Sequence, residues 1–193
     1  NGGPGASYLI SYTTNGACPA SSIDTLTVLD IDDASFLMTP TCDGGTALVE
    51  GLIGGTFSFD TPPTDAAVID PITGIVTNGT SGASYDIVYV TNGTCPANSD
   101  ENLIVLTTDD ASFDMIPTCD GGTANIIGVV GGAFSFSIPP SDLAVIDPIT
   151  GTVTSGTSGV SYNILYTTNG TCPASSVDTL TILITDDASF VLT

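Results

Sequence analysis

An all-β chain made of small sandwich modules in tandem is the fold class this sequence predicts, and three observations carry the prediction. The first is a fixed long period: Asp109-Asp110-Ala111-Ser112-Phe113 also stands at 32–36 and at 186–190, an offset of 77 positions each way. Between these markers, 40–45 (Pro-Thr-Cys-Asp-Gly-Gly) returns at 117–122, 67–74 (Ala-Val-Ile-Asp-Pro-Ile-Thr-Gly) at 144–151, and 91–96 (Thr-Asn-Gly-Thr-Cys-Pro) at 168–173. A constant period of this length is the mark of an array. The second observation is a series of short β-forming runs separated by Gly, Pro or Asn turn signals about every 8 to 12 residues, with no helical periodicity. The third is composition: 41% of residues are hydrophobic and 11% charged, so the chain can bury a core despite a net charge of −21.

The phase of the repeat predicts the domain organisation. Asn1 aligns with Asn78 and Ser155, inside a module. Residues 1–31 read as the C-terminal half of one module, 32–108 and 109–185 as complete modules, and 186–193 as the start of the next, a window on a longer array. The two complete copies agree at about two-thirds of positions. Near-identical copies suit a spacer or fibre better than an active site, because chemistry needs one site and length needs many.

In chain order, the Gly-rich turn at 1–5 leads into a first run at 7–12, rich in β-forming residues, and Asn15-Gly16 is a turn dipeptide. The alternating run 25–29 follows the Cys18-Pro19 loop and completes a hairpin. In the first complete module, 35–38 reads as a strand with Phe36 and Met38 on one face, and Asp43-Gly44-Gly45 turns into a strand at 47–52. Gly54-Gly55 ends that strand before 56–59, where Phe57 and Phe59 share a face. Pro62-Pro63 forces a loop. Strands at 68–70 and 75–77 flank the tight turn Pro71-Ile72-Thr73-Gly74, and 85–91 with 103–107 repeats the opening hairpin. About seven strands per module predict an immunoglobulin-like β-sandwich, with successive modules forming an elongated rod. A β-solenoid repeats over much shorter periods and needs fewer distinct strand patterns.

Composition also excludes functions. The sequence contains no Lys, Arg or His. Without cations the chain cannot neutralise phosphates, so nucleic acid is excluded as a partner. The same lack removes the imidazole of a hydrolase triad, the lysine of a phosphate-binding loop and the usual nitrogen ligands of zinc. No apolar run approaches the roughly 18 residues of a membrane span, and no signal peptide is seen in this window.

The run of motifs from the Cys-Asp-Gly-Gly turn at 42–45, through Gly-Gly-Thr-Phe-Ser at 54–58, Ile-Asp-Pro-Ile-Thr-Gly at 69–74, the Tyr85-x-Ile87-x-Tyr89 strand and Thr-Asn-Gly-Thr-Cys-Pro at 91–96, to the next Asp-Asp-Ala-Ser-Phe, resembles the tandem immunoglobulin-like repeats of giant surface adhesins and fibres of Bacteroidota. The resemblance covers the whole window. It implies an extracellular, cell-surface location, export by type IX secretion, and relatives among gliding-motility adhesins and predatory filaments.

Several residues are candidates for chemistry. The acid pairs Asp32-Asp33, Asp109-Asp110 and Asp186-Asp187 fall at the module junctions, where oxygens from two modules could hold calcium; a solvated linker is the plainer reading, since hard-cation sites need several converging oxygens and adjacency supplies two. Asp70 and Asp147 read as caps of their own turns. Tyr85 and Tyr89, with Tyr162 and Tyr166, have strand spacing and read as a sandwich face rather than a sugar platform. Asp24-Thr25-Leu26 and Asp178-Thr179-Leu180 are similar to O-glycosylation sites of Bacteroidota, although the middle module, with Asp100-Glu101-Asn102 in that stretch, lacks the pattern at the equivalent positions 101–103.

Without Lys or Gln, disulfides are the covalent device open to the chain, and five cysteines in fixed module positions suit an oxidising compartment. Sandwich topology predicts their pairing. Cys42 lies in the first turn of its module and Cys95 in the last hairpin loop, at opposite ends and on the order of 20 Å apart, well beyond the roughly 7 Å limit between Cα atoms of a disulfide. A cross-module bridge, Cys42 to Cys172, is therefore favoured over Cys42 to Cys95 and Cys119 to Cys172. The function expected is a non-enzymatic shaft segment of an adhesin or surface filament, whose partners are neighbouring modules and identical chains; cofactors are none beyond calcium. Repeated glycan-binding modules acting through avidity are the alternative. A hydrolase using paired carboxylates would need one pair in a singular context.

Overall fold

The computed structural model describes residues 2–186, 188 and 189. The chain divides into two compact units, Asn1–Leu106 and Thr107–Thr193. Among the described residues all regular structure is β, in sixteen strands.

The first unit opens with a hairpin, β1 (Ser7–Thr13) and β2 (Ser21–Thr27), paired from Ser7 with Thr27 to Thr13 with Ser21. These two strands form a sheet of their own. Seven further strands follow: β3 (Phe36–Pro40), β4 (Gly45–Val49), β5 (Thr56–Phe59), β6 (Val68–Ile69), β7 (Val76–Thr77), β8 (Ser84–Val90) and β9 (Asn98–Ile104). They make one sheet in the order β3-β4-β7-β6 and a second in the order β5-β8-β9, all pairs antiparallel. Lettered A to G within the module, this is A-B-E-D facing C-F-G, the constant-type immunoglobulin arrangement. The second unit repeats it with β10 (Phe113–Pro117), β11 (Gly122–Ile126), β12 (Ala133–Phe136), β13 (Val145–Ile146), β14 (Val153–Thr154), β15 (Ser161–Thr167) and β16 (Ser175–Thr181), ordered β10-β11-β14-β13 and β12-β15-β16.

The two sheets of each sandwich bury a shared core. In β8 the alternate residues Tyr85, Ile87 and Tyr89 point inward and meet Leu103 of β9, Phe57 of β5, and Phe36 and Val76 of the facing sheet. Phe36 stands edge-on to Phe57 with ring centroids 5.4 Å apart, and Phe57 lies 4.5 Å from Tyr89. Phe113, Phe134 and Tyr166 repeat the triad at 5.4 and 4.4 Å. Each such pair adds about 0.5–1.5 kcal/mol beyond the area it buries.

Strand existence follows the sequence reading, whereas three strands move by three residues or more at one end or both. β2 and β9 begin four or five residues before the expected runs at 25–29 and 103–107, because residues 21–24 and 98–102, polar except for Ile23, pair fully with β1 and β8. β4 runs from Gly45 to Val49 rather than 47–52, since the N–H groups of Glu50 and Gly51 both turn to the carbonyl of Ser35 and that of Leu52 to Asp33. The turn between β6 and β7 forms as expected: the Asp70 carboxylate accepts the N–H groups of Ile72 at 2.8 Å and Thr73 at 2.9 Å. Gly74 closes it with φ 68° and with Ala47 Cβ only 2.5 Å from where its own Cβ would lie, so two separate reasons exclude a side chain there.

Candidate functional site

Each sandwich carries one built polar cluster at the pole where its chain begins and another at the pole where it ends. At the N-terminal pole, Thr91 is buried, and its hydroxyl donates to Asp32 Oδ2 at 2.8 Å while accepting the N–H of Ala97 at 2.9 Å. Gly93 N–H donates to the same Oδ2 at 3.0 Å, and the N–H of Asp32 donates to the carbonyl of Cys95 at 2.9 Å. A Cβ on Gly93 would lie 2.4 Å from that carboxylate, which accounts for the glycine of Thr-Asn-Gly. One residue of the acid pair thus clamps the first residues of the module onto its last loop. The second unit repeats the clamp, with Gly170 N–H on Asp109 Oδ2 at 3.0 Å and Asp109 N–H on the carbonyl of Cys172 at 2.9 Å.

The other acids of the pairs do a different job. Asp33 accepts the N–H of Ser35 at 2.9 Å and Asp110 that of Ser112 at 2.9 Å, and these backbone bonds hold both carboxyls below their ordinary range. Asp186 is exposed, and Asp187 lies outside the described residues. Calcium takes six to eight oxygens, and among the described residues no group of three or more His, Cys, Asp or Glu is placed to hold a metal ion. Within either unit, then, the two carboxylates of Asp32-Asp33 and of Asp109-Asp110 turn to separate donors.

At the C-terminal pole, the turn carrying Cys42 is closed by Thr41 N–H on the carbonyl of Gly44 at 2.9 Å. Thr41 in turn accepts the N–H of Leu106 at 3.0 Å, so Cys42 sits where the chain leaves the sandwich. Cys95, bonded to Asp32, sits where the chain begins it. The seven residues of β9 lie between these poles, on the order of 20 Å. Consistent with that separation, the within-module pairs Cys42 to Cys95 and Cys119 to Cys172 are not formed: Cys95 and Cys119 are free, as is Cys18, whereas Cys42 and Cys172 are disulfide-bonded.

A third cluster lies at the start of β8. The Tyr85 hydroxyl donates to Asp65 Oδ2 and accepts the N–H of Thr80 at 3.0 Å, five residues upstream, in the manner of the tyrosine corner of immunoglobulin sandwiches. The Thr80 hydroxyl and the Ala67 N–H also donate to Asp65. Hydrogen bonds from Thr80 and then Tyr85 hold the Asp65 carboxyl far below its ordinary range, and the matching bonds from Thr157 and Tyr162 bring Asp142 down to about 2. Burial, then the facing carboxylate, pushes the phenols of Tyr85 and Tyr162 up. Neither acid stood out in the sequence, since Asp65 follows Pro-Pro-Thr in what reads as loop; its return as Asp142 one period later was the available signal. Tyr85, Tyr89, Tyr162 and Tyr166 all belong to the sandwich cores.

Every one of these clusters occurs in both units at an offset of 77. What they define is a repeated immunoglobulin-like sandwich whose polar chemistry is spent on holding its own loops. No family model matches the chain, and no curated protein matches it. Among solved structures it is similar to Protocadherin Gamma B2 extracellular cadherin domains 3-6, at 15% identity over 94% of this chain and 59% of that one, with a TM-score of 0.29. It is also similar to mouse Cadherin-23 EC22-24, at 13% identity over 94% and 74% (TM-score 0.29), and to mouse clustered PcdhgC3 EC1-3, at 13% over 95% and 78% (TM-score 0.32). The chain thus spans well under two-thirds of the length of the first of these. At TM-scores of 0.29 to 0.32 this likeness carries no argument about the chain.

Proposed function

We propose that this chain is a non-enzymatic shaft segment of an extracellular adhesin or cell-surface filament, in which 77-residue modules with boundaries at 31/32, 108/109 and 185/186 follow one another as a rod. The observation that carries the reading is repetition: the clamp, the turn and the tyrosine corner occur alike in both units, so none of these three constellations is singular as catalysis would require. The proposal includes a bridge between Cys42 and Cys172. Supporting it, Cys42 adjoins Thr41, which is bonded to Leu106, and the carbonyl of Cys172 is bonded to Asp109. Leu106 and Asp109 are three residues apart, at most about 11 Å of chain. Such a bridge staples a junction and stiffens a shaft under tension. The surface location and type IX export of Bacteroidota adhesins belong to the same proposal.

Calcium at Asp32-Asp33, Asp109-Asp110 and Asp186-Asp187 is an accessory part. A melting temperature unchanged by excess chelator removes it.

The repeated glycan-binding reading has one feature in its favour, a shallow groove of about 260 Å³ beside Pro62, Pro63 and Tyr85 that recurs at about 230 Å³ beside Pro139, Pro140 and Tyr162. A glycan array probed with the 193-residue chain separates the two. The shaft reading expects no glycan class above background, and a reproducible signal lost on replacing both Tyr85 and Tyr162 by Phe would replace it with the binding reading.

A further inference from the structure

The clamp at the N-terminal pole of each sandwich holds a backbone amide that follows an asparagine. Asn92 precedes Gly93 and Asn169 precedes Gly170, and each glycine N–H donates to a carboxylate oxygen at 3.0 Å, of Asp32 in one unit and of Asp109 in the other. The clamp needs these glycines, because a Cβ on either would collide with that carboxylate. An Asn-Gly pair is also the dipeptide most open to attack on the asparagine carboxamide by the following backbone nitrogen, since glycine puts no side chain beside the attacking atom. Burial does not protect the pair: Asn92 and Asn169 are both exposed. Their carboxamides lie beside Gly54 and Gly131, where a Cβ would stand 3.7 Å from Asn92 Oδ1 and Nδ2 in one unit, and 3.6 Å from Asn169 Oδ1 in the other.

We infer that Asn92 and Asn169 are deamidation sites which the carboxylates of Asp32 and Asp109 keep closed. In the reaction, hydroxide takes the proton of the Gly93 N–H and the nitrogen attacks Asn92 Cγ. The N–Cγ bond forms as the Cγ–Nδ2 bond breaks, and Nδ2 leaves as ammonia with a proton from water, which regenerates the hydroxide. Water then opens the cyclic imide at either carbonyl, to aspartate or isoaspartate. The sum is carboxamide plus water giving carboxylate plus ammonia, with no change of oxidation state. The clamp opposes the first step twice: the proton to be removed is already bonded to Asp32 Oδ2, and a negative charge on the nitrogen would stand 3.0 Å from that oxygen. Isoaspartate lengthens the main chain, so an opened clamp is recorded covalently. Asn78-Gly79 in the same unit is held differently, with Gly79 N–H on the Asp43 carbonyl at 2.9 Å, and so reports on the unit apart from Asp32.

The experiment incubates the full 193-residue protein at mildly alkaline pH and locates deamidation by peptide mass mapping with fragmentation. The wild type unfolded in urea is expected to deamidate at Asn78, Asn92 and Asn169, and the folded wild type to do so far more slowly at all three. Asp32→Ala is expected to speed Asn92 by about tenfold or more, the factor that a hydrogen bond to a charged group supplies, and to leave Asn78 and Asn169 at their wild-type rates. Asp109→Ala is expected to speed Asn169 alone. Equal rates at Asn92 in folded and unfolded wild type, or an unchanged or slower Asn92 in Asp32→Ala, overturn the inference; a slower rate would make the carboxylate a base rather than a guard. Where Asp32→Ala speeds Asn78 as well, the whole unit has opened and the milder Asp32→Asn decides, since it keeps an oxygen acceptor without the charge. A rise at Asn92 alone in that variant supports the guard, and no rise overturns it.

Discussion

The hairpins β1–β2 and β15–β16 are nearly the same two strands in the same register, with Tyr8 opposite Leu26 in one and Tyr162 opposite Leu180 in the other, yet their burial is opposite. Ile10 is 52% exposed and Tyr12 67%, whereas their equivalents Ile164 and Tyr166 are at 0%. Even the local half of the tyrosine corner is shared, because Gly3 N–H donates to the Tyr8 hydroxyl at 3.0 Å as Thr157 N–H does to Tyr162 at 2.9 Å. Only the β15–β16 copy has the carboxylate of Asp142 on the other side of the phenol. The lesson is that pairing is a local property of these fifteen or so residues, while burial and pKa shifts come from the other five strands of the sandwich.

The sharpest way to break this comparison is to truncate the same residue in both hairpins. Ile164→Ala empties a fully buried site and is expected to cost about 2–5 kcal/mol in denaturant unfolding of its sandwich. Ile10→Ala removes an exposed side chain and should stay within about 0.5 kcal/mol. Equal effects would mean that the hairpin face of β1–β2 is covered in solution.

A smaller difference is expected at the clamp. Thr91→Val removes the hydroxyl that joins Asp32 to the Ala97 N–H in a buried setting and should cost about 1–3 kcal/mol. Thr14 accepts the N–H of Ala20 at 2.9 Å in an exposed loop, and Thr14→Val should be close to neutral. Hydrogen exchange at Gly93 and Ala97 checks the site directly, since both amides should lose protection in Thr91→Val.

The acid response is expected to be the subtlest. The Asp142 carboxyl titrates near 2 in the folded chain and at an ordinary 3.8 otherwise, so what it contributes is fully present above about pH 4 and is lost as pH falls through about 2. Asp65 is depressed further, and its contribution persists to lower pH. Asp142→Asn should flatten the pH dependence of melting for the second unit and leave the first unit's unchanged; a parallel loss in both units would locate the acid sensitivity elsewhere.

Most of the fold was legible because the strands alternate and the turns are written in Gly, Pro and Asn: Phe57, Tyr85 and Tyr89 have the spacing of inward-facing residues and are buried. The starts of β2 and β9 were not legible, because Ser21, Ser22 and Asn98 to Asn102 have little strand preference of their own and are held by the partner strand. The polar clusters were half legible. Asp70 caps a turn three residues long and can be read locally. Asp32 with Thr91, 59 residues apart, and Asp65 with Tyr85 depend on which loops share a pole of the sandwich, and no local pattern carries that.

The disulfide map of the unreduced chain tests the shaft reading most directly. After alkylation of free thiols and digestion at acidic residues, the expected result is one linked pair, Cys42 with Cys172, and alkylated Cys18, Cys95 and Cys119. A Cys42 to Cys95 or Cys119 to Cys172 linkage would contradict both the placement of these loops at opposite poles and the staple on which the stiff shaft depends.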